Sequence, residues 1–275
     1  MQHSDPEIER NAAAAKTAYA NACFGSASSF YQKALDRARL ADQSPEISRL
    51  AYNLAFCRAQ ATNYDKALAL LDEAQYETKK NRQSFPEATL LRAEIFRHLG
   101  KTNEAATIVK SEIDASKKND PVRLELQLFL AESACDQNDE KLALEELNKL
   151  DRNLLKSADS TAQAREASLR GRVLMAEKQP AAAAVSFAKA AGLYQEGKRY
   201  ADMGNALYRA GNAYAADKKT KPAFDCYYRA ARTLFYCGEN KKADDALKKA
   251  TELAADESDR EMLKNLARLK LHPSS

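Results

Sequence analysis

One alanine keeps returning along this 275-residue chain, and it limits the folds open to it. Ala27, Ala67, Ala105, Ala143, Ala183 and Ala223 follow one another at intervals of 40, 38, 38, 40 and 40 residues. Each stands after a short polar break and opens an apolar run, as in Ala67-Leu68-Ala69-Leu70-Leu71 or Ala183-Ala184-Val185-Ser186-Phe187. About twelve residues before most of them lies a second small residue: Ala15, Ala55, Ala93, Ala131, Gly171 or Gly211. Small residues at fixed phase on two successive helices mark a close helix–helix approach, because a larger side chain would hold the backbones apart. A period near 40 predicts a stacked helical solenoid, which grows by adding layers rather than by enlarging one core.

The punctuation agrees. Pro45, Pro86, Pro121, Pro180 and Pro222 stand where helices should start, and proline's missing N–H has no intrahelical partner in the first turn. Ser44-Pro45-Glu46 and Asp120-Pro121 add capping residues or early acids. The helix pairs are predicted at 6–22 with 26–42, 46–61 with 64–80, 86–99 with 102–117, 121–136 with 139–154, 160–177 with 180–196, and 199–216 with 221–236. The interval shortens once, from Ala223 to Ala243, so 221–236 also opens a final hairpin with 240–254. The repeat array therefore occupies 1–255, and 256–275 holds a charged capping helix, 257–271, and a tail. The turns within pairs are short and polar, which forces antiparallel neighbours, and no strand-like alternation occurs.

Composition narrows the function classes. Forty-three basic and 39 acidic residues leave a net charge of +4, too balanced for a general nucleic-acid binder. No run of about 18 apolar residues exists to cross a membrane. The five cysteines, Cys23, Cys57, Cys135, Cys226 and Cys237, contain no CxxC pair; four of them are read as small buried hydrophobes inside helices. They suit a reducing compartment. The chain opens Met1-Gln2-His3-Ser4-Asp5-Pro6 without an apolar leader, so a cytoplasmic location is expected, with a periplasmic or membrane-anchored protein whose leader has been removed as the alternative.

Leu207-Tyr208-Arg209-Ala210-Gly211-Asn212-Ala213-Tyr214 followed by Ala223-Phe224-Asp225-Cys226-Tyr227-Tyr228-Arg229-Ala230 resembles the two helices of a tetratricopeptide repeat, in a variety of about 40 residues. Tyr52-Asn53-Leu54-Ala55 with Tyr64-Asp65-Lys66-Ala67-Leu68 is similar, as is Leu169-Arg170-Gly171-Arg172 with Ala183. The small second-helix residue is replaced by Glu112 and Leu150 in the third and fourth repeats, and the turn glycine by Thr62 or Asn138. The resemblance covers almost the whole chain. It implies an all-α fold, a right-handed superhelix of antiparallel helix pairs, and leaves function open, since such arrays are general interaction scaffolds.

Chemistry is sparse. His3 and His272 lie at the termini and His98 near a helix end, with no nucleophile motif beside it. Neighbouring acids such as Glu145-Glu146 or Asp244-Asp245 do not converge on one helix face. No phosphate-binding glycine loop, HExxH or calcium loop is present. The expectation is a protein without enzymatic activity, cofactor or metal.

The resemblance also implies which residues line the inner face. The N-terminal candidates are Arg49, Tyr52, Asn53, Phe56 and Gln60; the middle is acidic, with Glu94, Arg97, His98, Glu125, Glu132 and Asp136. The C-terminal third is basic and aromatic: Arg165, Ser168, Arg172, Asn205, Tyr208, Arg209, Asn212, Tyr228, Arg229, Arg232 and Tyr236. Seven of the twelve tyrosines fall between Tyr194 and Tyr236. Tyrosine supplies rigid area with a polar tip, and arginine grips a carboxylate with two hydrogen bonds. The partner-binding set is thus Arg165, Arg172, Asn205, Tyr208, Arg209, Asn212, Tyr228, Arg229, Arg232 and Tyr236. Its expected partner is a protein or peptide carrying an acidic side chain or a C-terminal carboxylate, on an adaptor or assembly scaffold. The lysine–asparagine set that the family uses to clamp chaperone tails is missing, since Asn53 stands alone and no lysine precedes Asn212 by four residues. Two other readings stay open, a periplasmic lipoprotein-type assembly factor and a ligand-sensing regulator, and the oligomeric state is undetermined.

Overall fold

The computed structural model describes residues 5–80, 84–117 and 120–271. His3 and His272 fall outside them. Among the described residues all regular structure is α-helical, in two compact units, residues 1–116 and 117–275.

The N-terminal unit holds α1 (Pro6–Ala20), α2 (Phe24–Leu40), α3 (Ser44–Gln60), α4 (Tyr64–Lys80), α5 (Pro86–His98) and α6 (Thr102–Ala115). The C-terminal unit holds α7 (Pro121–Asp136), α8 (Glu140–Lys149), α9 (Arg152–Ser157), α10 (Ser160–Ala176), α11 (Pro180–Glu196), α12 (Tyr200–Ala216), α13 (Thr220–Tyr236), α14 (Asn240–Leu253) and α15 (Glu257–Leu271). Within each unit successive helices pack on one another: α1 on α2, α2 on α3, α3 on α4, and again from α10 through α14.

The turns explain the regularity. A left-handed residue ends helix after helix: Ala22, Asp42, Thr62 and Gly100 in the first unit, Asn138, Lys178, Lys198, Lys218 and Gly238 in the second. Around each, two amides reach back to carbonyls of the last helical turn. Arg199 N–H, for example, bonds the Tyr194 carbonyl at 2.8 Å and Lys198 N–H the Gln195 carbonyl at 3.1 Å. This double bond closes the helix and turns the chain at once into its antiparallel neighbour. Pro6, Pro45, Pro86, Pro121 and Pro180 stand in the first turn of their helices.

All six recurring alanines are fully buried, and so are Ala15, Ala55, Ala93 and Ala131. Where the upstream residue is glycine, the reason is direct. A Cβ on Gly171 would stand 2.7 Å from the Phe187 ring, and one on Gly211 would stand 2.7 Å from the Tyr227 ring.

Three expectations change. The helix foreseen over 139–154 is two helices, α8 and α9. Leu150 turns to extended geometry between them, and the Asp151 carboxylate caps α9 by accepting from the amides of Asn153 and Leu154. The equivalent residues Ala34, Ala74, Ala190 and Ala230 are small and fully buried, so a leucine at that close approach is accommodated by leaving the helix. Ala12 lies outside the recurring small positions and is expected from sequence to be exposed, yet it is only 5% exposed because it continues the Ile8–Ala15 stripe. Only Cys57, Cys135 and Cys226 are buried in helices; Cys23 and Cys237 are exposed at helix ends.

Candidate functional site

In the C-terminal unit the first helices of successive pairs, α7, α10, α12 and α14, meet through their polar side chains. Arg165 on α10 binds two carboxylates of α7, Glu125 and, at 2.7 Å, Glu132. Burial alone would lower the Arg165 pKa, but Glu132 and then Glu125 hold it above its ordinary value. Two turns further along α10, Arg172 meets Asp136 at the end of α7 at 3.0 Å. Arg209 on α12 donates to Ser168 Oγ on α10 at 3.4 Å. Lys249 on α14 lies 5.7 Å from the centre of the Tyr208 ring on α12. The contacts follow from spacing: 165, 168 and 172 share one face of α10, and 205, 208, 209 and 212 share one face of α12.

Between these helices lies a pocket of about 290 Å³. Arg172, Arg209 and Asn212 line it, with Cys135 of α7, Asn138 of the following turn, Glu140 of α8, Met175 of α10 and Phe187 of α11. Its volume is near the small end of the roughly 300–1,000 Å³ typical of ligand clefts, room for one residue rather than a length of peptide.

The electrostatics single out Arg209. Arg165 and Arg172 are matched by carboxylates, whereas Arg209 has no carboxylate partner among the described residues. Desolvation by the surrounding walls, and then the charge of Arg172, push its pKa below the ordinary arginine value. Both influences mean that an anion placed here would be bound favourably. Asn212 is already oriented: its Oδ1 accepts from Tyr227 Oη at 2.8 Å, which leaves the Nδ2 hydrogens for another acceptor. Tyr227 is itself held over Gly211 and makes an edge contact with Tyr208 at 5.7 Å. Burial pushes the Tyr227 hydroxyl up to about 12, and burial followed by Asp202 and Glu132 does the same for Tyr194. Both stay protonated donors at neutral pH. Burial also raises the Cys135 thiol.

The foreseen set divides. Arg172, Arg209 and Asn212 come together in the pocket, Arg165 is occupied by α7, and half-buried Asn205 continues their face of α12. Tyr208 packs between Tyr227 and Lys249. The remaining four lie on α13 and find partners there. Tyr228 stacks on Phe224, the Arg232 guanidinium lies 5.7 Å from the Tyr228 ring centre, Arg229 pairs with Asp225 at 3.4 Å, and Tyr236 touches Phe235. The sequence reading missed Cys135, Asn138, Glu140, Met175 and Phe187. The signal for the turn residues was present: antiparallel stacking points every first helix the same way, so the turn after α7 lies level with the late residues of α10 and α12.

In the N-terminal unit, Arg49 pairs with Glu46 and Arg97 with Glu94, while His98 stacks on Tyr64 with centroids 6.1 Å apart. Among the described residues no three His, Cys, Asp or Glu side chains gather into a metal-holding group, and no helix is long and apolar enough to cross a membrane.

No family model and no curated protein matches the chain. Solved structures do match. BtubC (BKLC) from P. vanneervenii is similar with a TM-score of 0.62, at 18% identity, over 85% of this chain and 93% of that one. A tetratricopeptide repeat protein from Parabacteroides merdae gives 0.55 at 14% identity, over 97% of this chain and all of the other. The C-terminal part of a repeat-containing protein of the same type from Cytophaga hutchinsonii gives 0.51 at 16% identity, over 90% and 98%. At such identities the likeness establishes the fold: an all-α solenoid of tetratricopeptide-repeat type.

Proposed function

We propose that this chain is a non-enzymatic interaction scaffold that holds a partner protein through a carboxylate-bearing peptide seated at Arg209 and Asn212, beside Arg172. One observation carries the reading: a guanidinium without a carboxylate partner among the described residues shares a residue-sized pocket with an oriented amide donor. Arginine offers a carboxylate two parallel N–H donors, and the Asn212 amide adds a third direction of approach. Phe187 and Met175 give the ligand an apolar surface. Asn205 and Tyr208 on α12, and Tyr228, Arg229, Arg232 and Tyr236 on α13, offer further polar and aromatic area for the rest of a partner.

The test starts from a library of peptides displayed with free C termini and selected on the purified protein. Each selected peptide is then titrated as free acid and as C-terminal amide. A charge-assisted hydrogen bond contributes about 1.5–3 kcal/mol, so Arg209→Ala should weaken the free acid by at least about tenfold. Binding should also weaken with salt, because the pocket mouth is open to solvent. Arg49→Ala, in the other unit, should change little. Equal affinity of acid and amide forms, together with no loss in Arg209→Ala, would overturn the reading.

A further inference from the structure

The same pocket holds an unpaired charge of the opposite sign. Glu140, in the first turn of α8, is half-buried and lines it. Other buried or half-buried acids of the C-terminal unit are matched: Glu125 and Glu132 by Arg165, Glu146 by Lys149, Glu166 by Arg170, and Asp259 by Lys221. Asp120 and Asp151 accept backbone amides at helix starts. Glu140 has neither kind of partner among the described residues. Its place at a helix N-terminus, where negative charge is favoured, lets the fold tolerate it. Arg172 is already neutralised by Asp136, so the pocket presents one open cation, Arg209, and one open anion, Glu140. A dianionic group such as a phosphate, or an acidic residue at a chain end, would satisfy Arg209 but be repelled by Glu140. A ligand with a carboxylate and a cation on one residue satisfies both.

We propose that the pocket takes the last residue of a partner chain and that this residue is basic, lysine or arginine. The terminal carboxylate binds Arg209 and Nδ2 of Asn212. The side-chain cation meets Glu140 and the side-chain oxygen of Asn138. The aliphatic stem lies along Phe187, Met175 and Cys135, as long basic side chains do on apolar surface. This rests on the reading that the pocket binds a carboxylate, and adds the identity of the residue that carries it.

Six N-acetylated, fluorescently labelled hexapeptides with a neutral glycine–serine body test the idea by anisotropy. They end in lysine, leucine or glutamate, each as free acid and as amide. The free acid ending in lysine should bind tightest, by about tenfold over leucine and more over glutamate. Glu140→Gln should erase the preference of lysine over leucine, and Glu140→Lys should turn it toward glutamate, with circular dichroism showing both variants folded. Free acids that bind better than amides while lysine and leucine remain equal would overturn the basic-residue assignment alone. Acids equal to amides, or no binding by any of the six, would overturn the carboxylate reading with it. Free lysine displacing the lysine-ended peptide at equal affinity would make the ligand an amino acid and overturn the peptide assignment.

Discussion

The two units solve one packing problem with different chemistry. In the pairs α3–α4 and α12–α13 the fifth residue of the first helix faces the fifteenth residue of the second. In the N-terminal unit these are Ser48 and Thr78, buried hydroxyls 2.6 Å apart that both bond the Ala74 carbonyl. The polar stitching continues: Ser44 donates to Glu77, and Gln75, Thr89 and Glu112 form a chain with links of 3.2 and 2.9 Å. In the C-terminal unit the equivalent pair is Gly204 and Leu234. A Cβ on Gly204 would stand 2.7 Å from Leu234 Cγ, so the leucine occupies the space that a side chain would need. Gly171 under Phe187 and Gly211 under Tyr227 repeat the device one turn or more further along. Directional hydrogen bonds hold one set of helices and shape complementarity holds the other. The second solution leaves few polar side chains between α10, α11, α12 and α13. Arg172, Arg209 and Asn212 gather at the pocket, and Ser168 accepts a hydrogen bond from Arg209.

The largest expected effect tests what the two units share. Ala67→Leu and Ala183→Leu force a larger side chain into fully buried close approaches, and each should cost about 3 kcal/mol, the upper range for overpacking. Chemical denaturation measures this, with exposed Ala13→Leu as the control. Equal midpoints for all three variants would show that the period does not mark the packing seam.

The next experiment exchanges the two solutions. Gly204→Ser should cost about 2 kcal/mol by collision with Leu234. Adding Leu234→Thr rebuilds the Ser48–Thr78 arrangement, so the double variant should be about 1 kcal/mol more stable than the sum of the single losses. Strict additivity would mean that the two positions do not form one unit.

Ser48→Ala asks how much the hydrogen bonds contribute. The loss should be about 1 kcal/mol, since the Thr78 hydroxyl keeps its bond to Ala74. A loss above that of Gly204→Ser would reverse the ranking of the two solutions. The smallest effect concerns a feature common to both units. Lys198 is held at φ +56°, where a side chain is strained, so Lys198→Gly should raise stability by about 0.5–1 kcal/mol after the extra unfolded-chain entropy is deducted. A lower melting temperature would show that the lysine side chain contributes more than the strain it causes.

Much of the fold was legible in the residues. The alanine period, the prolines and the polar turns are local signals, each acting within a few residues of where it stands. They located the helix pairs, and even the departures at Glu112 and Leu150 were visible. Glu112 became an acceptor for Ser84 and Thr89, and Leu150 ended a helix. The meaning of those departures was not legible, because it depended on what stood across the seam. The candidate site was legible in part. Arg172, Arg209 and Asn212 were found because the resemblance to tetratricopeptide repeats implies which first-helix positions line the inner face. The α13 residues were grouped with them because the shortened final interval let α13 count as a first helix as well.

By itself, then, the sequence determined that this chain is an all-α array of antiparallel pairs, where the small residues lie, and which helix faces carry polar groups. Helix periodicity and turn closure are short-range, so one stretch of chain suffices to set them. Only the tertiary structure decided which charges cancel. Glu140 stands 32 residues from Arg172 and 69 from Arg209, yet all three line one pocket, while Arg165 is neutralised from α7. Whether a charge is free to bind a ligand depends on neighbours brought in by stacking, and Coulombic attraction acts through the space between side chains rather than along the chain that joins them.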